Sequence, residues 1–436
     1  MDPQLIGWIG LAAMLILLLL GVPVYAAIGA VGFVGYLAME GLDKSLAIVG
    51  LVSYSRVAVY AFSVVPLFIL MGSVFSASRV GADTYAATRR WMGSLPGGLA
   101  QATIVANTLF GAACGSSVAA AATFGKIAVP EMLRYGYSKS LATACVAAAG
   151  TLAIMIPPSI AMVLYGLITD TSIAKLLVAG IIPGIFSAAV YMATIHVWAK
   201  RYPRHAPPFT EPWSWKENFR ALKGVVAILI ICVIVLGGIY TGITTATEAG
   251  ALGAFAALVL TVVMRRLSWR DFKIALKDSV KTTVMIQVIL LSAFIFGYFM
   301  AVTLLPQKLA TWLTSLPIPG LAMIVVIMFA YIILGAFMDM LSVMFITVPI
   351  IFPTIVTLGF NPIWFGILMV QVIEMGMITP PFGINLFVIK GTVPEVPFNE
   401  VIAGIWPFVL AQTVTLGFLI AFPQIALYLP DRMLGR

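Results

Sequence analysis

The sequence predicts an all-α polytopic membrane protein built from two inverted repeats, and three observations support this prediction. The chain is 62% hydrophobic and only 9% charged, so a soluble domain of its 436 residues could not bury its apolar surface. The apolar runs are long and glycine-rich and lack the period-two alternation of a membrane β-barrel, which favours helices as the spanning elements. Two of these runs are each interrupted by a double proline, and the residues around both interruptions recur in the same order.

Each repeat is predicted to contain five crossings, one of them a broken helix, and one re-entrant hairpin. In the first half the crossings are placed near 5–21, 23–39, 57–78, 138–168 and 174–199. Residues 1–20 are interpreted as the first crossing and not as a signal peptide, because they begin with an acidic residue and contain no Lys or Arg. A basic, proline-rich loop, 200–223, closes this half.

The segment 98–133 is apolar, but Gly115, Ser116 and Ser117 lie near its centre. Each arm is shorter than the ~20 residues that a helix needs to span a bilayer. Glycine allows a tight turn, so the segment is predicted to be a re-entrant hairpin with its tip near the middle of the membrane. The alternative is that the small residues only allow neighbouring helices to pack closely.

The second half repeats this plan, with crossings near 225–241, 245–263, 282–303, 362–391 and 400–428. A basic stretch, 265–281, joins the second crossing to the third. A second short-armed hairpin, 318–357, has its tip at 339–342. Thr247 is predicted to N-cap the helix near 245–263, with Glu248 complementing the dipole of that helix.

The duplication can be traced through landmarks along the chain. Gly136 precedes Pro157 by the same number of residues as Gly359 precedes Pro380. A tryptophan followed by a Leu-Pro pair also precedes each hairpin. Several landmarks in one order are improbable for unrelated apolar helices, so we infer an internal repeat. Because each half has an odd number of crossings, the second half is inverted relative to the first.

The basic residues predict how the chain is oriented in the membrane. Most of the 25 Lys and Arg residues lie in 79–90, 134–139, 200–223 and 265–281, which the predicted crossings place on one side. The positive-inside rule makes this the cytoplasmic side, so both termini are predicted to be periplasmic. The net charge of +9 is therefore interpreted as a topology signal, and no nucleic-acid partner is expected.

The double prolines at 157–158 and 380–381 mark the predicted binding site. Proline lacks the amide hydrogen and clashes with the preceding turn, so two in a row open a helix. Opened backbone inside a bilayer is tolerated only where protein or a water-filled cavity satisfies its polar groups. Two openings at matching positions of two half-chains indicate the site of a secondary transporter.

Carbonyl and hydroxyl oxygens at the hairpin tips and breaks form a cluster of neutral ligands suited to Na⁺, while half-helix N-termini suit an anionic substrate. The candidate Na⁺ ligands are Gly115, Ser116, Ser117, Ile156 and Pro157 in the first half and Asp339, Ser342, Gly376, Thr379 and Pro380 in the second. The candidate substrate contacts are Ser116, Ser117, Pro158, Ser159, Pro381, Gly383 and Asn385.

Three of the polar residues keep alternatives open. An ionisable residue in an apolar region is a functional candidate by default, but Asp339 has the alternative of a structural hydrogen bond or salt bridge within its hairpin. Glu374, on the helix before the second break, ligates a cation, carries a proton or pairs with a neighbour. Asn385 contacts either the substrate or the opened backbone.

No catalytic residues are predicted. The sequence has no glycine-rich phosphate loop, no HExxH motif and no nucleophile elbow. Cys114, Cys145 and Cys232 lie in apolar or small-residue segments without metal-ligand spacing, so they are interpreted as small hydrophobic residues. The chain is therefore expected to be a transporter and not an enzyme.

Together these motifs resemble the large membrane subunit of tripartite ATP-independent periplasmic (TRAP) transporters, within the ion transporter superfamily. The resemblance covers nearly the whole chain. It rests on the stretches 65–72 (VPLFILMG), 115–119 (GSSVA), 156–159 (IPPS), 245–249 (TATEA) and 379–385 (TPPFGIN). Ala246 stands where this family is expected to have proline, in a turn that does not touch the predicted site.

The resemblance implies an elevator-type fold driven by a Na⁺ gradient, with at least two Na⁺ transported. It also implies a small four-helix membrane subunit, expected as a separate chain, and a periplasmic substrate-binding protein that delivers an organic acid at the bacterial inner membrane. Residues 1–95 would form the first part of a scaffold, and 96–205 the first part of a moving transport domain. Residues 206–317 would form a linker and the rest of the scaffold, and 318–436 the rest of the transport domain.

Two alternatives are weighed against this prediction. One is a stand-alone Na⁺/dicarboxylate symporter of the same architecture, which would work without a binding protein. The other is a proton-pumping or antiporter subunit, which would need several Lys, Glu or His residues within the membrane. This chain places nearly all of its charge in loops, which disfavours the second alternative.

Overall fold

The computed structural model describes residues 2–55, 58–208 and 214–433, and all regular structure within these ranges is helical. The helices of the first half are α1 (Pro3–Leu19), α2 (Val24–Glu40), α3 (Leu42–Ser55), α4 (Val64–Ala77), α5 (Val80–Met92), α6 (Gly98–Cys114), α7 (Ser117–Arg134), α8 (Lys139–Met155), α9 (Ile160–Thr169), α10 (Ile173–Ala179) and α11 (Ile181–Arg201). The helices of the second half are α12 (Trp215–Ala221), α13 (Val226–Cys232), α14 (Gly238–Thr241), α15 (Ala246–Val263), α16 (Trp269–Thr303), α17 (Leu305–Ser315), α18 (Gly320–Phe337), α19 (Met340–Thr357), α20 (Pro362–Met377), α21 (Ile384–Thr392), α22 (Phe398–Ala421) and α23 (Gln424–Asp431).

Within the described ranges, seven helices are long and apolar enough to cross a membrane, and nine if each of two bent helix pairs counts as one span. The fold is therefore an α-helical membrane protein with several crossings, as predicted. The α1 and α2 helices have 17 residues each, a length of about 26 Å that is slightly less than the ~30 Å of a bilayer core. The ten crossings and the inverted repeat stay predictions.

Both predicted helix breaks are present. The α8 helix ends at Met155 and α9 begins at Ile160, with a bend of 43° between them. The α20 helix ends at Met377 and α21 begins at Ile384. In both cases the intervening prolines interrupt the backbone hydrogen-bond ladder because they have no amide hydrogen to donate. The peptide bond within each double proline is cis.

The two predicted hairpins form as the helix pairs α6–α7 and α18–α19. Their turns are short, with Gly115 and Ser116 in the first and Met338 and Asp339 in the second. The arms of the second hairpin have 18 residues each, and their length and hydropathy make both of them candidate membrane spans. The α7 arm of the first hairpin has the same length, so the re-entrant form of both hairpins stays a prediction. Because Asp339 caps α19 directly after the turn, the tip uses few residues and leaves more for the arms.

Two helices differ from the prediction in other ways. The α3 helix occupies a segment where no helix was predicted. The α16 helix has 35 residues, whereas the sequence predicted a basic loop over 265–281 before a helix near 282–303. Its start is fixed by a capping box, in which the Ser268 hydroxyl accepts a hydrogen bond from the Asp271 amide at 3.1 Å and the Asp271 carboxylate accepts one from the Ser268 amide at 3.4 Å. The capping box therefore starts α16 at Trp269, well before the apolar part of the helix.

The N-cap of α15 is Thr245, two residues before the predicted Thr247. The Thr245 hydroxyl accepts a hydrogen bond from the Glu248 amide at 3.3 Å. The Glu248 carboxylate accepts one from the Thr245 amide at 2.8 Å, which completes a capping box. In a capping box the side chain of the N-cap bonds to the amide of the third helical residue. Since Glu248 lies three residues after Thr245, its position identifies Thr245 and not Thr247 as the cap.

We expect Thr245→Ala to lower the free energy of unfolding by about 1 kcal/mol, because it leaves the Glu248 amide at the start of α15 without its acceptor. Thr247→Ala is the matched control and should stay within about 0.5 kcal/mol of the unchanged protein, because it leaves the capping box in place. Chemical unfolding in detergent would measure both. An equal loss for the two variants would contradict the assignment of the cap.

The α8 helix lies at the centre of the molecule. Every residue from Leu141 to Met155 is buried, and α6, α7 and α22 all pack against this helix. Its many alanines allow these close approaches. At Gly111 of α6, for example, a Cβ would lie 2.3 Å from the Ala153 Cα, so any larger residue would collide with the α8 backbone. The helix thereby joins the first hairpin to a helix of the second half.

Three segments rich in basic residues meet at one side of the molecule. The Trp91 indole donates to the Asn218 carbonyl at 3.1 Å, and Arg266 forms an ion pair with Asp83 at 2.8 Å. The end of α5, the segment 215–224 and the turn after α15 therefore lie together. The predicted topology requires these segments to share one side of the membrane. The N-out, C-out orientation itself stays a prediction.

Candidate functional site

The first hairpin tip lies against the first helix break. Gly115 has a φ of +63°, in the left-handed region that favours glycine, and a Cβ there would lie 3.0 Å from the Pro158 carbonyl oxygen. Glycine therefore serves both the turn and the close approach. The contact brings the tip against the opened backbone at 156–159, where Pro157, Pro158 and Ser159 are all buried.

Two helix N-termini begin at this contact. The Ser116 hydroxyl accepts a hydrogen bond from the Ala119 amide at 3.3 Å and caps α7. The Ser159 hydroxyl accepts one from the Met162 amide at 3.3 Å and caps α9. Each N-terminus carries a partial positive charge from its free amides. The two therefore create a local positive potential without any Lys or Arg.

The second hairpin tip contacts the second break in a similar way. The Gly383 amide donates to the Ala336 carbonyl at 3.1 Å, and the Phe337 and Phe382 rings lie 4.5 Å apart. This break is more accessible than the first, since Pro381 is exposed and both Thr379 and Pro380 are half-buried.

Asp339 caps α19 in this tip. Its carboxylate accepts hydrogen bonds from the Leu341 amide at 3.0 Å and the Ser342 amide at 3.2 Å, and it also accepts one from the Ser342 hydroxyl. The structural alternative for Asp339, a hydrogen bond within the hairpin, is thus realised. The half-buried carboxylate still lies at the turn between α18 and α19, where it retains acceptor capacity for a cation.

Gly376 allows the second hairpin to reach the second broken helix. A Cβ at Gly376 would lie 2.6 Å from the Ile332 carbonyl oxygen and 2.8 Å from the Gly335 Cα. A Cβ at Gly335 would in turn lie 2.6 Å from the Ile373 carbonyl oxygen. The backbones of α18 and α20 are therefore in direct contact at these two glycines, which is the small-residue packing typical of membrane helices.

The two halves meet through a buried hydrogen bond. The Asn385 side-chain amide donates to the Ser117 hydroxyl at 2.8 Å, and both side chains are buried. The predicted partners of Asn385 were the substrate and the opened backbone. The observed partner of its side-chain amide is a side chain of the other half. Instead, Asn385 links the start of α21 to the start of α7, which places residues that follow the second break beside the first hairpin tip.

Glu374 lies close to this junction and is 1% exposed. Neither carboxylate oxygen has a hydrogen-bond partner among the described residues, and no ion pair joins it to a described basic residue. No ionic pairing with a neighbour is observed, and the Ser117 hydroxyl lies beside the carboxylate. A buried carboxylate is costly without compensation, so ligation of a cation, protonation and an interaction with Ser117 stay as the alternatives.

A second polar connection between the halves was not predicted. The Tyr191 hydroxyl donates to the Gln412 side-chain oxygen, and the Gln412 side-chain amide donates to the Gln371 carbonyl at 3.3 Å. The Thr151 hydroxyl lies 3.3 Å from that of Tyr191. Side chains on α8, α11 and α22 and the Gln371 backbone carbonyl on α20 thus form one buried chain. The signal available in the sequence was the presence of glutamines within apolar helices.

A cavity of about 460 Å³ opens beside the first hairpin tip, between α4, α16 and the starts of α7 and α9. Its polar lining comes from Ser73, Ser76, Ser116, Asp278 and Thr282. No Lys or Arg of the described ranges lines it, so the helix N-termini are the source of positive potential there. Such a cavity can hold a small molecule whose anionic group faces the N-termini of α7 and α9.

Of the predicted site residues, Ser116 lines this cavity directly. Four of its polar residues were missed, namely Ser73, Ser76, Asp278 and Thr282. The two serines lie three residues apart in an otherwise apolar segment, a pattern that could have identified them as one face of a helix. The other two were missed because the beginning of α16 was predicted as a loop. Among the described residues, no three His, Cys, Asp or Glu side chains converge on a metal site.

The chain is similar in fold and in sequence to several known transporters. The crystal structure of the YdaH transporter of Alcanivorax borkumensis, reported to have an unusual topology, matches with a TM-score of 0.60 over 100% of both chains at 14% identity. This likeness concerns the fold alone.

The C4-dicarboxylate TRAP transporter large permease protein of Pseudomonas aeruginosa is 36% identical over 85% of this chain and 86% of its own. The ectoine/5-hydroxyectoine TRAP transporter large permease protein of Ruegeria pomeroyi is 32% identical over 96% of this chain and 97% of its own.

The family described as the tripartite ATP-independent periplasmic transporter, DctM component, matches residues 11–425. This match covers nearly the whole chain, including both hairpins, both breaks and the cavity. The resemblance inferred from the motifs is therefore confirmed. The chain belongs to the tripartite ATP-independent periplasmic transporter family, as its DctM component.

Proposed function

We propose that this chain is the large permease subunit of a Na⁺-coupled transporter that imports a small organic acid across the bacterial inner membrane. The observation that supports this most directly is the cavity at the first hairpin tip, where the N-termini of α7 and α9 meet. A carboxylate placed there would accept hydrogen bonds from free amides and from hydroxyls. The two relatives are named for a C4-dicarboxylate and for ectoine, compounds that share a carboxylate group.

The coupling ions would bind where the backbone is open. At the first tip and break, carbonyls at 115–117 and 156–157 and the hydroxyls of Ser116 and Ser117 supply neutral oxygens. At the second, the Asp339 carboxylate and the backbone at 376–380 supply oxygens together with Ser342 and Thr379. Na⁺ prefers such oxygen ligands, and one ion at each tip gives two Na⁺, the minimum expected per transport cycle.

An elevator movement fits the way the hairpins are connected. Each tip packs on its own broken helix, and the Asn385–Ser117 hydrogen bond joins the two. Residues 96–205 and 318–436 would therefore move as one transport domain against a scaffold formed by 1–95 and 206–317. The cavity lies between these parts, since it is lined by α4 and α16 on one side and the first tip on the other.

The partners follow from the tripartite family. Two further components are expected, a small four-helix membrane subunit and a periplasmic binding protein that selects the organic acid. The stand-alone Na⁺/dicarboxylate symporter is disfavoured, because both the family and the relatives named above are tripartite. Reconstituted uptake should therefore require all three components, and uptake by this chain alone would favour the symporter.

The Na⁺ assignment can be tested in that reconstituted system with Ser116→Ala, Ser117→Ala and Asp339→Asn. Each change removes one oxygen ligand or weakens it, so we expect the half-saturating Na⁺ concentration to rise by roughly five-fold, equivalent to about 1 kcal/mol. Ser53→Ala is the matched control, because its hydroxyl bonds only to a carbonyl in its own exposed helix. Unchanged Na⁺ stoichiometry and half-saturation in all three variants would defeat the assignment.

A further inference from the structure

A second cavity, of about 590 Å³, lies at the side of the molecule where the basic segments meet. Its walls come from α5, from the segment 215–224 and from the turn after α15, and it shares no lining residue with the cavity at the hairpin tip. Five basic side chains line it, namely Arg89, Arg90, Arg220, Lys223 and Arg266. Two acidic side chains, Asp83 and Glu217, oppose them, so the lining carries an excess of positive charge.

Close backbone contacts hold the walls of this cavity together. A Cβ at Gly224 would lie 2.5 Å from the Asp83 carbonyl oxygen, so the segment 215–224 touches α5 directly. The Trp91 indole donates to the Asn218 carbonyl at 3.1 Å in the same region. Arg266 pairs with Asp83 at 2.8 Å and attaches the turn after α15 to α5. The cavity is therefore a built feature and not a gap between loosely placed loops.

The charges in the cavity are only partly compensated from within the protein. Arg266 is paired with Asp83, and Arg90 is paired with Glu217. Arg220 and Lys223, by contrast, are exposed and have no acidic partner in the part of the chain that the structure describes. Two cationic groups beside an already paired cluster leave room for an anion from outside the protein.

Exposed aromatic residues beside this cavity are typical of a surface at the level of the lipid headgroups. Trp215 and Phe219 lie one turn apart on α12, stack on each other at 6.1 Å and are 61% and 60% exposed. Trp269, at the start of α16, is 70% exposed. Tryptophan, whose apolar indole carries one N–H donor, concentrates at membrane–water interfaces. Since the basic segments identify this side as cytoplasmic under the positive-inside rule, the cavity would face the anionic leaflet.

We propose that this cavity binds the phosphate headgroup of an anionic phospholipid from the cytoplasmic leaflet. Arg220 and Lys223 contact the phosphate, and Ala86, Ala221 and Met264 offer an apolar wall to the glycerol and upper acyl chain. A lipid bound there bridges the segment that connects the two halves to α5. The proposal stands independently of the transported substrate and of Na⁺ coupling.

The test uses the purified membrane complex in nanodiscs of phosphatidylcholine to which phosphatidylglycerol is added, with bound lipid counted by native mass spectrometry. Arg220→Gln combined with Lys223→Gln should weaken retention of phosphatidylglycerol by roughly twenty-five-fold, because each basic residue contributes about a factor of five at an anionic surface. The matched control combines Lys200→Gln with Lys216→Gln, which removes the same charge from exposed residues that do not line the cavity. This control should retain the lipid.

Equal losses in the two double variants, or equal retention of phosphatidylcholine and phosphatidylglycerol by the unchanged protein, would overturn the proposal. A separate arm adds inorganic phosphate in place of the charged lipid. If phosphate alone binds and displaces phosphatidylglycerol completely, the cavity is a site for free phosphate and the lipid assignment is wrong. Unchanged melting temperatures in all variants establish that the fold is intact, since the four substituted residues are exposed.

Discussion

Replacing Gly376 with valine is expected to abolish uptake. A Cβ at this position would lie 2.6 Å from the Ile332 carbonyl oxygen and 2.8 Å from the Gly335 Cα, and both are backbone atoms that cannot rotate away. Overpacking of this kind costs about 1–3 kcal/mol even where neighbours can adjust. Here the α18 and α20 backbones must separate, which also displaces the tip that contacts the second break. We expect the initial rate of uptake in proteoliposomes to fall by more than about a hundred-fold.

Gly417→Val is the matched control for this prediction. Gly417 lies in α22, and a Cβ there would meet no heavy atom within 4 Å. Both variants introduce the same β-branched residue into a helix, so the intrinsic helix propensity changes equally. The control should retain most of its uptake. Comparable activity in the two variants would show that the contact between α18 and α20 is not needed for transport.

Asn385→Ala is expected to reduce uptake by roughly fifty-fold at saturating Na⁺. The change removes the buried donor to the Ser117 hydroxyl and leaves a cavity where the two halves meet, at a cost of about 2–3 kcal/mol. Ser117→Ala should have a comparable effect through the same bond. If the two side chains act as one unit, the double variant should be no worse than either single variant, a coupling that initial rates of uptake would measure.

Asn399→Ala provides the control for these variants. The exposed Asn399 side chain lies in the first turn of α22 and accepts a hydrogen bond from the adjacent Glu400 amide at 3.1 Å. Its replacement should leave uptake within about two-fold of the unchanged protein. If the losses for Asn385→Ala and Ser117→Ala instead multiply in the double variant, the two residues act separately and the junction between the halves lies elsewhere.

The features that the sequence predicted best are those with a local cause. A double proline opens a helix wherever it occurs, so both breaks were found at their correct positions. Glycine and serine at 115–117 likewise turn the chain regardless of its surroundings. The extent of α16 was predicted incorrectly because charged residues near its start suggested a loop, whereas the Ser268 capping box begins a helix there. The cap of α15 was misplaced by two residues because Glu248 was interpreted only as complementing the helix dipole, and its spacing from the cap was not considered.

Features that depend on distant contacts could not be predicted in this way. The bond between Asn385 and Ser117 joins residues 268 positions apart in the chain, and no pattern of either segment specifies it. The cavity at the first tip requires α4 and α16 to lie beside the hairpin, which follows from packing of the whole bundle. Only Ser116 was named in advance among its polar lining.

The burial of α8 along its whole described core has a consequence for how this protein tolerates change. A helix that borders the bilayer can accept a larger side chain by displacing fluid acyl chains. The residues from Leu141 to Met155 have protein atoms on every side and no such outlet. We therefore expect that few amino-acid types are tolerated at these positions, on every face of α8. Helices that border lipid should tolerate many different apolar residues on the face that contacts the acyl chains.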